Sequence, residues 1–186
     1  MRHPTRAITR DLRTRRAKRP GRADDEVSTL GWPETTLRVR DVMNRQPVIT
    51  RCGITVGDAW RLMRARKIRH VPVLDDKRRL VGIVADRDLR QAVLEPWAEE
   101  RMGDAANVLA GTPVERVMTW GVVTVAPDAE IRQAAHIMRE QRIGALPVVR
   151  AGRVVGMLTA TDLVRAVIDL LSEGVLSKPE RWRAEG

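Results

Sequence analysis

The sequence predicts an α+β fold in which two pseudo-symmetric β-α-β-β-α repeats pack as one module. The main observation is that the same short motifs occur twice, in the same order, in residues 39–94 and 114–170. Copy one reads Asp41-Val42-Met43, Val71-Pro72-Val73 and Gly82-Ile83-Val84-Ala85-Asp86-Arg87-Asp88-Leu89, and copy two reads Arg116-Val117-Met118, Leu146-Pro147-Val148 and Gly156-Met157-Leu158-Thr159-Ala160-Thr161-Asp162-Leu163. Met and Pro lie 29 residues apart in both copies. A shared layout of this kind indicates an internal duplication.

The elements of copy one follow from its apolar periodicity and its turn residues. Thr55 and Asp58 have the Thr-x-x-Asp form of a helix capping box, and apolar residues follow at helical spacing. A polar turn at 75–79 separates two short β-branched runs and predicts a hairpin. We predict a strand at 47–50, a helix after Thr55, strands at 71–74 and 80–84, and a helix from about Asp86.

Copy two repeats this order. Ala151 and Gly152 separate its two β-branched runs, and a long apolar series follows Thr161. We predict a strand at 122–125, a helix from Asp128 or Ala129, strands at 146–149 and 154–158, and a final helix from about Thr161.

Length and composition set the domain organisation. At 186 residues, two units of about sixty residues would each be marginal alone, so we expect them to share a core. Residues 1–36 lack apolar periodicity and contain helix-breaking residues, which predicts a disordered arm. The predicted divisions are the Arg-rich arm at 1–36, repeat one at 37–95, a linker at 96–112, repeat two at 113–171 and a C-terminal tail at 172–186.

The net charge of +10 resembles that of a nucleic-acid-binding protein until it is divided by region. Residues 1–22 hold nine Arg and Lys against one acid, and the other 164 residues hold 25 basic and 23 acidic side chains. We therefore assign the basic excess to the arm and expect a nearly balanced globular body.

The single cysteine and the lack of long apolar runs exclude several classes of site. Cys52 is the only cysteine, so neither an internal disulfide nor a thiolate zinc cluster is expected. No apolar run approaches the length of a membrane span, and no secretory signal is recognised. We expect no metal, no membrane association and a cytoplasmic location.

With these motifs, residues 37–171 resemble a tandem pair of cystathionine-β-synthase (CBS) domains, an arrangement called a Bateman module. The resemblance rests on Val-Met before the first strand, Val-Pro-Val or Leu-Pro-Val in the middle, and Gly followed by Asp-Leu at the last helix, each present twice. It implies a pseudo-twofold pair that binds adenine nucleotides between its copies, forms dimers, and regulates other proteins or senses cellular energy.

The resemblance also implies site residues. A carboxylate at a helix start can accept hydrogen bonds from a ribose cis-diol, and a nearby hydroxyl with backbone amides can hold phosphate. Asp162 and Asp88 match the family's ribose position and Thr159 its hydroxyl position, with Thr161 beside them. Ala85 departs from the usual Ser or Thr, so we rank the Thr159/Asp162 cleft first.

Further ligand contacts follow from the same resemblance. The candidate cationic contacts to phosphate around copy one are Arg69, His70 and Arg87. Binding of a second nucleotide in the copy-one cleft therefore remains an alternative. The apolar candidates for the adenine slots are Val48, Ile49, Val71 and Pro72 in copy one and Val122, Val123, Leu146 and Pro147 in copy two.

Each candidate also has a purely structural explanation. Thr159-Ala160-Thr161-Asp162 is itself a capping box, and capping is sufficient reason for those residues at a helix start, although capping and ribose binding are not exclusive. His70, just before a buried strand, is equally well explained as a hydrogen-bonded structural histidine. No acid and base pair is recognised, so we expect no enzymatic activity.

The sequence therefore favours a stand-alone regulatory or energy-sensing CBS pair that binds AMP, ADP or ATP, with NAD and S-adenosylmethionine ranked behind them. No cofactor is expected to be obligatory, and a homodimer and an unidentified regulated protein are the expected partners. The alternative is a nucleic-acid-associated protein that uses residues 2–22, with the repeats as a dimerisation scaffold. A third possibility is an interaction scaffold whose clefts bind no ligand.

Overall fold

The computed structural model describes residues 37–92 and 110–172. The predicted arm at 1–36, most of the linker at 96–112 and all but the first residue of the tail at 172–186 lie outside the described residues. Copy one contains α1 (Val39–Val42), β1 (Thr50–Arg51), α2 (Val56–Arg66), β2 (His70–Leu74), β3 (Leu80–Ala85) and α3 (Asp86–Ala92). Copy two contains a 3₁₀ turn (Val114–Arg116), β4 (Thr119–Trp120), α4 (Ile131–Gln141), β5 (Ala145–Arg150), β6 (Arg153–Thr159) and α5 (Ala160–Ser172).

Both predicted hairpins are present. β2 pairs antiparallel with β3, and β5 pairs antiparallel with β6. β1 and β4 extend the first hairpin to a four-stranded sheet in the order β1-β2-β3-β4. The central strands are buried along most of their length, so the two hairpins form the centre of the protein.

The helix ends follow the local signals of the sequence. Thr55 Oγ1 accepts a hydrogen bond from the Asp58 N–H at 3.0 Å, which forms the predicted cap of α2. α2 and α4 both terminate at a basic residue in the left-handed conformation, Lys67 and Arg142, each with φ of 52°. These equivalent ends aim the following loops of the two copies in the same way.

Three predicted boundaries are wrong. The strand expected at 47–50 is limited to Thr50–Arg51. At 122–125 only Val125 pairs, in a parallel bridge with Val148, and the strand lies earlier at β4, where Gly121 with φ of 65° ends it. α4 begins at Ile131 because the Ala129 carbonyl is already bonded to the Val39 N–H and Glu130 is extended.

Each copy places its leading segment on the core of the other copy. Val39 of copy one is fully buried in the copy-two core, and its N–H donates to the Ala129 carbonyl at 2.9 Å. Val114 of copy two is fully buried in the copy-one core, and its N–H donates to the Ile54 carbonyl at 2.8 Å. Neither sequence repeat is therefore a self-contained structural unit.

The repeated methionines and glycines meet at this exchange. A Cβ on Gly82 would lie 2.3 Å from Met118 Sδ, and a Cβ on Gly156 would lie 2.5 Å from Met43 Sδ. Each methionine thus occupies the space above a glycine of the opposite copy. A larger residue at either position would force the methionine side chain to move, and at Gly156 it would also press on the Asn44 backbone carbonyl.

Gly156→Ala should lower the free energy of unfolding by about 1–3 kcal/mol, because overpacking a closed contact forces neighbours to move. The added Cβ would meet Met43 Sδ and would lie 3.0 Å from the Asn44 carbonyl oxygen, which accepts the Met157 N–H at 2.9 Å. Urea denaturation measures the change.

Gly111→Ala is the matched control, because a Cβ there has nothing within 4 Å and the change should stay within about 0.5 kcal/mol. The double variant Met43→Ala, Gly156→Ala should cost less than the sum of the single changes. Equal stability of Gly156→Ala and Gly111→Ala would contradict the interlocked contact.

Candidate functional site

An open cleft of about 760 Å³ lies between the two copies. Equivalent segments of both copies line it, namely the loops before β2 and β5 and the junctions of β3 with α3 and of β6 with α5. The leading segments of the two copies complete it. Copy one contributes Asn44, Pro47 and Val48, and copy two contributes Thr119, Gly121, Val122 and Val123. The leading segments that complete the two cores therefore also form part of the cleft wall.

Ten of the fifteen candidate residues line this cleft. They are Val48, Arg69, His70, Arg87, Asp88, Val122, Val123, Thr159, Thr161 and Asp162. All the polar and charged candidates belong to this set, so the duplication brings the predicted polar groups of both copies to one cavity.

The remaining five candidates, all apolar, do not line the cleft. Val71, Pro72, Leu146 and Pro147 are buried within β2 and β5, where central strands are covered on both faces. Ile49 is 38% exposed outside the cleft, whereas its neighbour Val48 faces the cavity. The sequence pattern identified the correct strands but not the depth or the face of these side chains.

Asp162 stands at the start of α5 in the copy-two corner of the cleft. Its Oδ2 accepts the Thr159 N–H at 2.8 Å and the Thr159 hydroxyl at 2.6 Å. The Asp162 N–H donates back to Thr159 Oγ1 at 3.3 Å, so the predicted capping box is formed. Within the described part of the chain Oδ1 accepts no hydrogen bond, which leaves one carboxylate oxygen for a ligand.

Thr159 has a different geometry from the one expected. Its single hydroxyl hydrogen is donated to Asp162, so it is not free for a phosphate oxygen. The side chain instead fixes the orientation of the carboxylate. The hydroxyl of Thr161, exposed at the same helix start, forms no hydrogen bond with a described residue and is the free hydroxyl of this corner.

Asp88 occupies the equivalent corner in copy one. Its Oδ2 accepts the Ala85 N–H at 2.9 Å, and its Oδ1 lies 4.0 Å from Arg87 Nε. Because Ala85 has no hydroxyl, Asp88 lacks the second bond that fixes Asp162. The copy-one carboxylate is therefore less firmly oriented and lies next to a cation.

His70 connects the two corners. A Cβ on Gly144 would lie 3.6 Å from its Cε1, so the imidazole packs against the opposite copy. Burial lowers the pKa of His70 from 6.5, and Arg69 and Arg87 add to this while Asp88 and Asp86 oppose it. The neutral imidazole is therefore the favoured form at this seam.

Lys67 and Arg142 also line the cleft, although sequence reasoning did not select them. Both occur in the repeated motif as a basic residue before Ile, so their equivalence was visible in the sequence. Their left-handed backbone, which was not visible, places them at the cavity edge. Among the described residues, no cluster of three His, Cys, Asp or Glu has the arrangement of a metal site, and no helix is long and apolar enough to cross a membrane.

The fold is a duplicated α+β module with a cleft between its two copies. A family model for the CBS domain matches residues 39–95 and 114–169. The chain therefore belongs to the CBS domain family, with two tandem copies in one Bateman module.

Two relatives show the range of proteins that contain this module. A CBS domain-containing protein of Dictyostelium discoideum is 32% identical over 72% of this chain and 92% of its own length. A homoserine O-acetyltransferase of Methanohalobium evestigatum is 32% identical over 69% of this chain, which spans only 24% of that enzyme. The module therefore occurs both alone and attached to enzymes.

Solved structures of similar fold include ligand complexes. A Vibrio cholerae protein described as an acetoin utilization protein is 36% identical, with TM-score 0.63 and coverage of 78% of this chain and 100% of that chain. CBSX2 of Arabidopsis thaliana, solved with AMP, is 29% identical, with TM-score 0.60 and coverage of 72% and 98%. The CBS pair of protein MJ0100, solved with 5′-methylthioadenosine and S-adenosyl-L-methionine, is 26% identical, with TM-score 0.62 and coverage of 73% and 98%.

Acidification from about pH 7.5 to 5.5 should reduce the free energy of unfolding through His70. Its folded pKa is lowered, so the unfolded chain binds the proton first, and the stabilisation is lost as pH falls below the ordinary value of 6.5. His70→Gln should flatten this part of the profile in urea denaturation.

His136→Gln, which changes the other described histidine, is the control and should keep the wild-type slope. If His70→Gln and wild type lose stability in parallel, the imidazole at the seam is not the responsible group.

Proposed function

We propose that this protein is a non-enzymatic regulatory protein that binds an adenine nucleotide in the cleft between its two CBS copies. The observation that carries the proposal is the free Oδ1 of Asp162, held at the cleft while Oδ2 caps α5. Membership of the family and the AMP complex of CBSX2 support the ligand class.

The proposed contacts follow from the chemistry of each group. Asp162 Oδ1 would accept hydrogen bonds from the ribose cis-diol, and a charged acceptor makes the stronger bond. Val48, Val122 and Val123 are apolar residues of the leading segments at the cleft, and they would contact the base. AMP, ADP and ATP are the preferred candidates, ahead of NAD and S-adenosylmethionine.

Binding would regulate by bridging the copies. Because both copies line the cleft, a ligand contacts both at once and stabilises one relative arrangement by its differential affinity. A regulated protein would then read that arrangement. Sensing of cellular energy follows if AMP, ADP and ATP stabilise it to different extents.

Asp162→Asn is the sharpest test of the ribose contact. The amide oxygen can still accept the Thr159 N–H, so the helix cap is kept, but the other position becomes an NH₂ donor that cannot accept from a ribose hydroxyl. We expect affinity for AMP to fall by about tenfold or more, since bonds to charged groups contribute about 1.5–3 kcal/mol. Isothermal titration calorimetry measures it.

Asp88→Asn makes the same chemical change in the equivalent corner and should alter AMP affinity less, because Asp88 is fixed by one hydrogen bond and Asp162 by two. Thermal unfolding without ligand should show that Asp162→Asn stays folded. Unchanged AMP affinity in folded Asp162→Asn would refute the ribose assignment, and absence of binding by the wild type would refute the proposed ligand class.

A homodimer is part of the proposal. Val164, Val167, Ile168 and Leu171 lie at helical spacing on α5 and are 59%, 48%, 55% and 51% exposed. A contiguous apolar helix face of this kind marks an interaction surface. The occupant we propose is a second copy, since a twofold axis across one α5 pairs the same stripe with itself.

Ile168→Glu should convert a dimer to a monomer, because it places a charge in the middle of a closed apolar interface. Light scattering after size-exclusion chromatography measures the mass. Asp169→Lys, a charge change on another face of α5, should leave the dimer intact. A wild-type protein that is monomeric at about 100 μM, above typical Kd values, would contradict this surface.

Two further expectations rest on the sequence alone. The nucleic-acid alternative rests on residues 2–22, which lie outside the described residues. A cytoplasmic location rests on the single cysteine of the sequence and stays a prediction.

A further inference from the structure

The cleft is charged unequally on its two sides. Five cationic side chains of the described residues line it. Arg142 is the one from copy two, and the other four, from copy one, are Lys67, Arg69, Arg87 and Arg90. The copies differ in the same sense as a whole. Residues 37–92 carry fourteen Arg and Lys against six Asp, whereas residues 110–172 carry seven against six Asp and Glu. The expectation that the basic excess belongs to the arm alone is therefore wrong.

Three of the cleft cations are not neutralised. Arg90 pairs with Asp86 at 2.9 Å, and Arg87 lies 4.0 Å from Asp88. Lys67, Arg69 and Arg142 form no ion pair and no side-chain hydrogen bond with any described residue. Unpaired cations that converge on one cavity favour an anionic ligand.

Copy two does not repeat this arrangement. Gly144 stands at the position of Arg69, and Ala145 stands at the position of His70. Thr161 likewise replaces Arg87. The copy-two corner therefore has the fixed carboxylate and a free hydroxyl, and the copy-one corner has the cations. Two halves with such different chemistry do not suit two identical ligands.

The two halves are also contiguous. The Arg69 carbonyl accepts the Asp86 N–H at 2.9 Å, and the Gly144 carbonyl accepts the Ala160 N–H at 3.0 Å, so each pre-strand loop is fixed to its own helix start. A Cβ on Gly144 would lie 3.6 Å from His70 Cε1, so the two loops are neighbours at the seam. Arg69 and Asp162 line the same cavity, and a ligand that fills it would meet both.

The backbone supports a role for the side chains of Lys67 and Arg142. Both have φ of 52° at a helix end, a position that glycine or asparagine adopts more readily. Cations at helix C-termini are favoured by the helix dipole, which explains a basic residue near the end of the helix. The dipole does not require a basic residue at the left-handed position itself, and at both helix ends that position lines the cleft.

We infer that the copy-one half of the cleft is a polyphosphate subsite, so that one nucleoside di- or triphosphate spans both copies. The inference rests on the proposed nucleotide function and narrows it in two ways. The sugar binds at Asp162 and the β- and γ-phosphates bind at Lys67 and Arg69. The chain then takes one nucleotide and not two, and its affinity rises with phosphate number.

Calorimetric titration with adenosine, AMP, ADP, ATP and inorganic tripolyphosphate, at one fixed salt concentration, tests this inference. The expected affinity order is ATP, ADP, AMP, adenosine, with one ATP bound per chain. The double variant Lys67→Gln, Arg69→Gln should weaken ATP binding by about tenfold or more and leave adenosine binding unchanged, because only charge-assisted contacts to phosphate are lost.

Arg64→Gln, Arg66→Gln is the matched control, since these two exposed arginines lie in the last turn of α2, just before Lys67, but do not line the cleft. It removes the same net charge and should leave ATP affinity nearly unchanged. Equal effects of the two double variants would overturn the subsite, as would two ATP per chain or equal affinity for AMP and ATP.

The outcomes separate this inference from the proposed function. If AMP and ATP bind equally well and depend on Asp162, nucleotide binding stands and the polyphosphate subsite falls. If no nucleoside binds but tripolyphosphate does, and this binding depends on Lys67 and Arg69, the adenine ligand falls and the anion subsite stands.

Discussion

The reciprocal exchange of leading segments is the constraint on which the rest of the structure depends. Met43 fits over Gly156 and Met118 fits over Gly82, so each copy completes the core of the other. Two units of about sixty residues bury too little apolar surface to be stable alone, and the exchange makes their cores interdependent. Because the same segments carry Val48 and Val123 to the cavity, assembly of the core and formation of the cleft are one event.

The sequence predicted the structural features that depend on residues close together in the chain. It missed the features that depend on contacts between residues far apart in the chain. The capping box at Thr55, the box at Thr159 and both hairpins follow from residues within a few positions of each other. The start of α4 does not, because the Ala129 carbonyl is bonded to Val39, ninety residues earlier in the chain. No local signal reports a contact of that range.

The same distinction applies to the site. Polar candidates such as Asp162 and Arg69 line the cavity because short polar segments at strand ends must reach the surface. Apolar candidates such as Val71 and Leu146 do not line it, since a strand covered on both faces reads as a continuous apolar run without period. Lys67 was not selected from the sequence, because its position at the cleft depends on a left-handed backbone, and a basic residue gives no sign of that conformation.

The divergence between the copies gives the cleft a direction. A symmetric duplication would offer two equal corners, and a ligand in either one would favour the paired arrangement only through its contacts there. With a carboxylate fixed by Thr159 on one side and Lys67 and Arg69 on the other, the ligand proposed above would engage both copies at once. Its differential affinity would then act on the relative arrangement of the copies, and we propose that this arrangement is what a regulated protein detects.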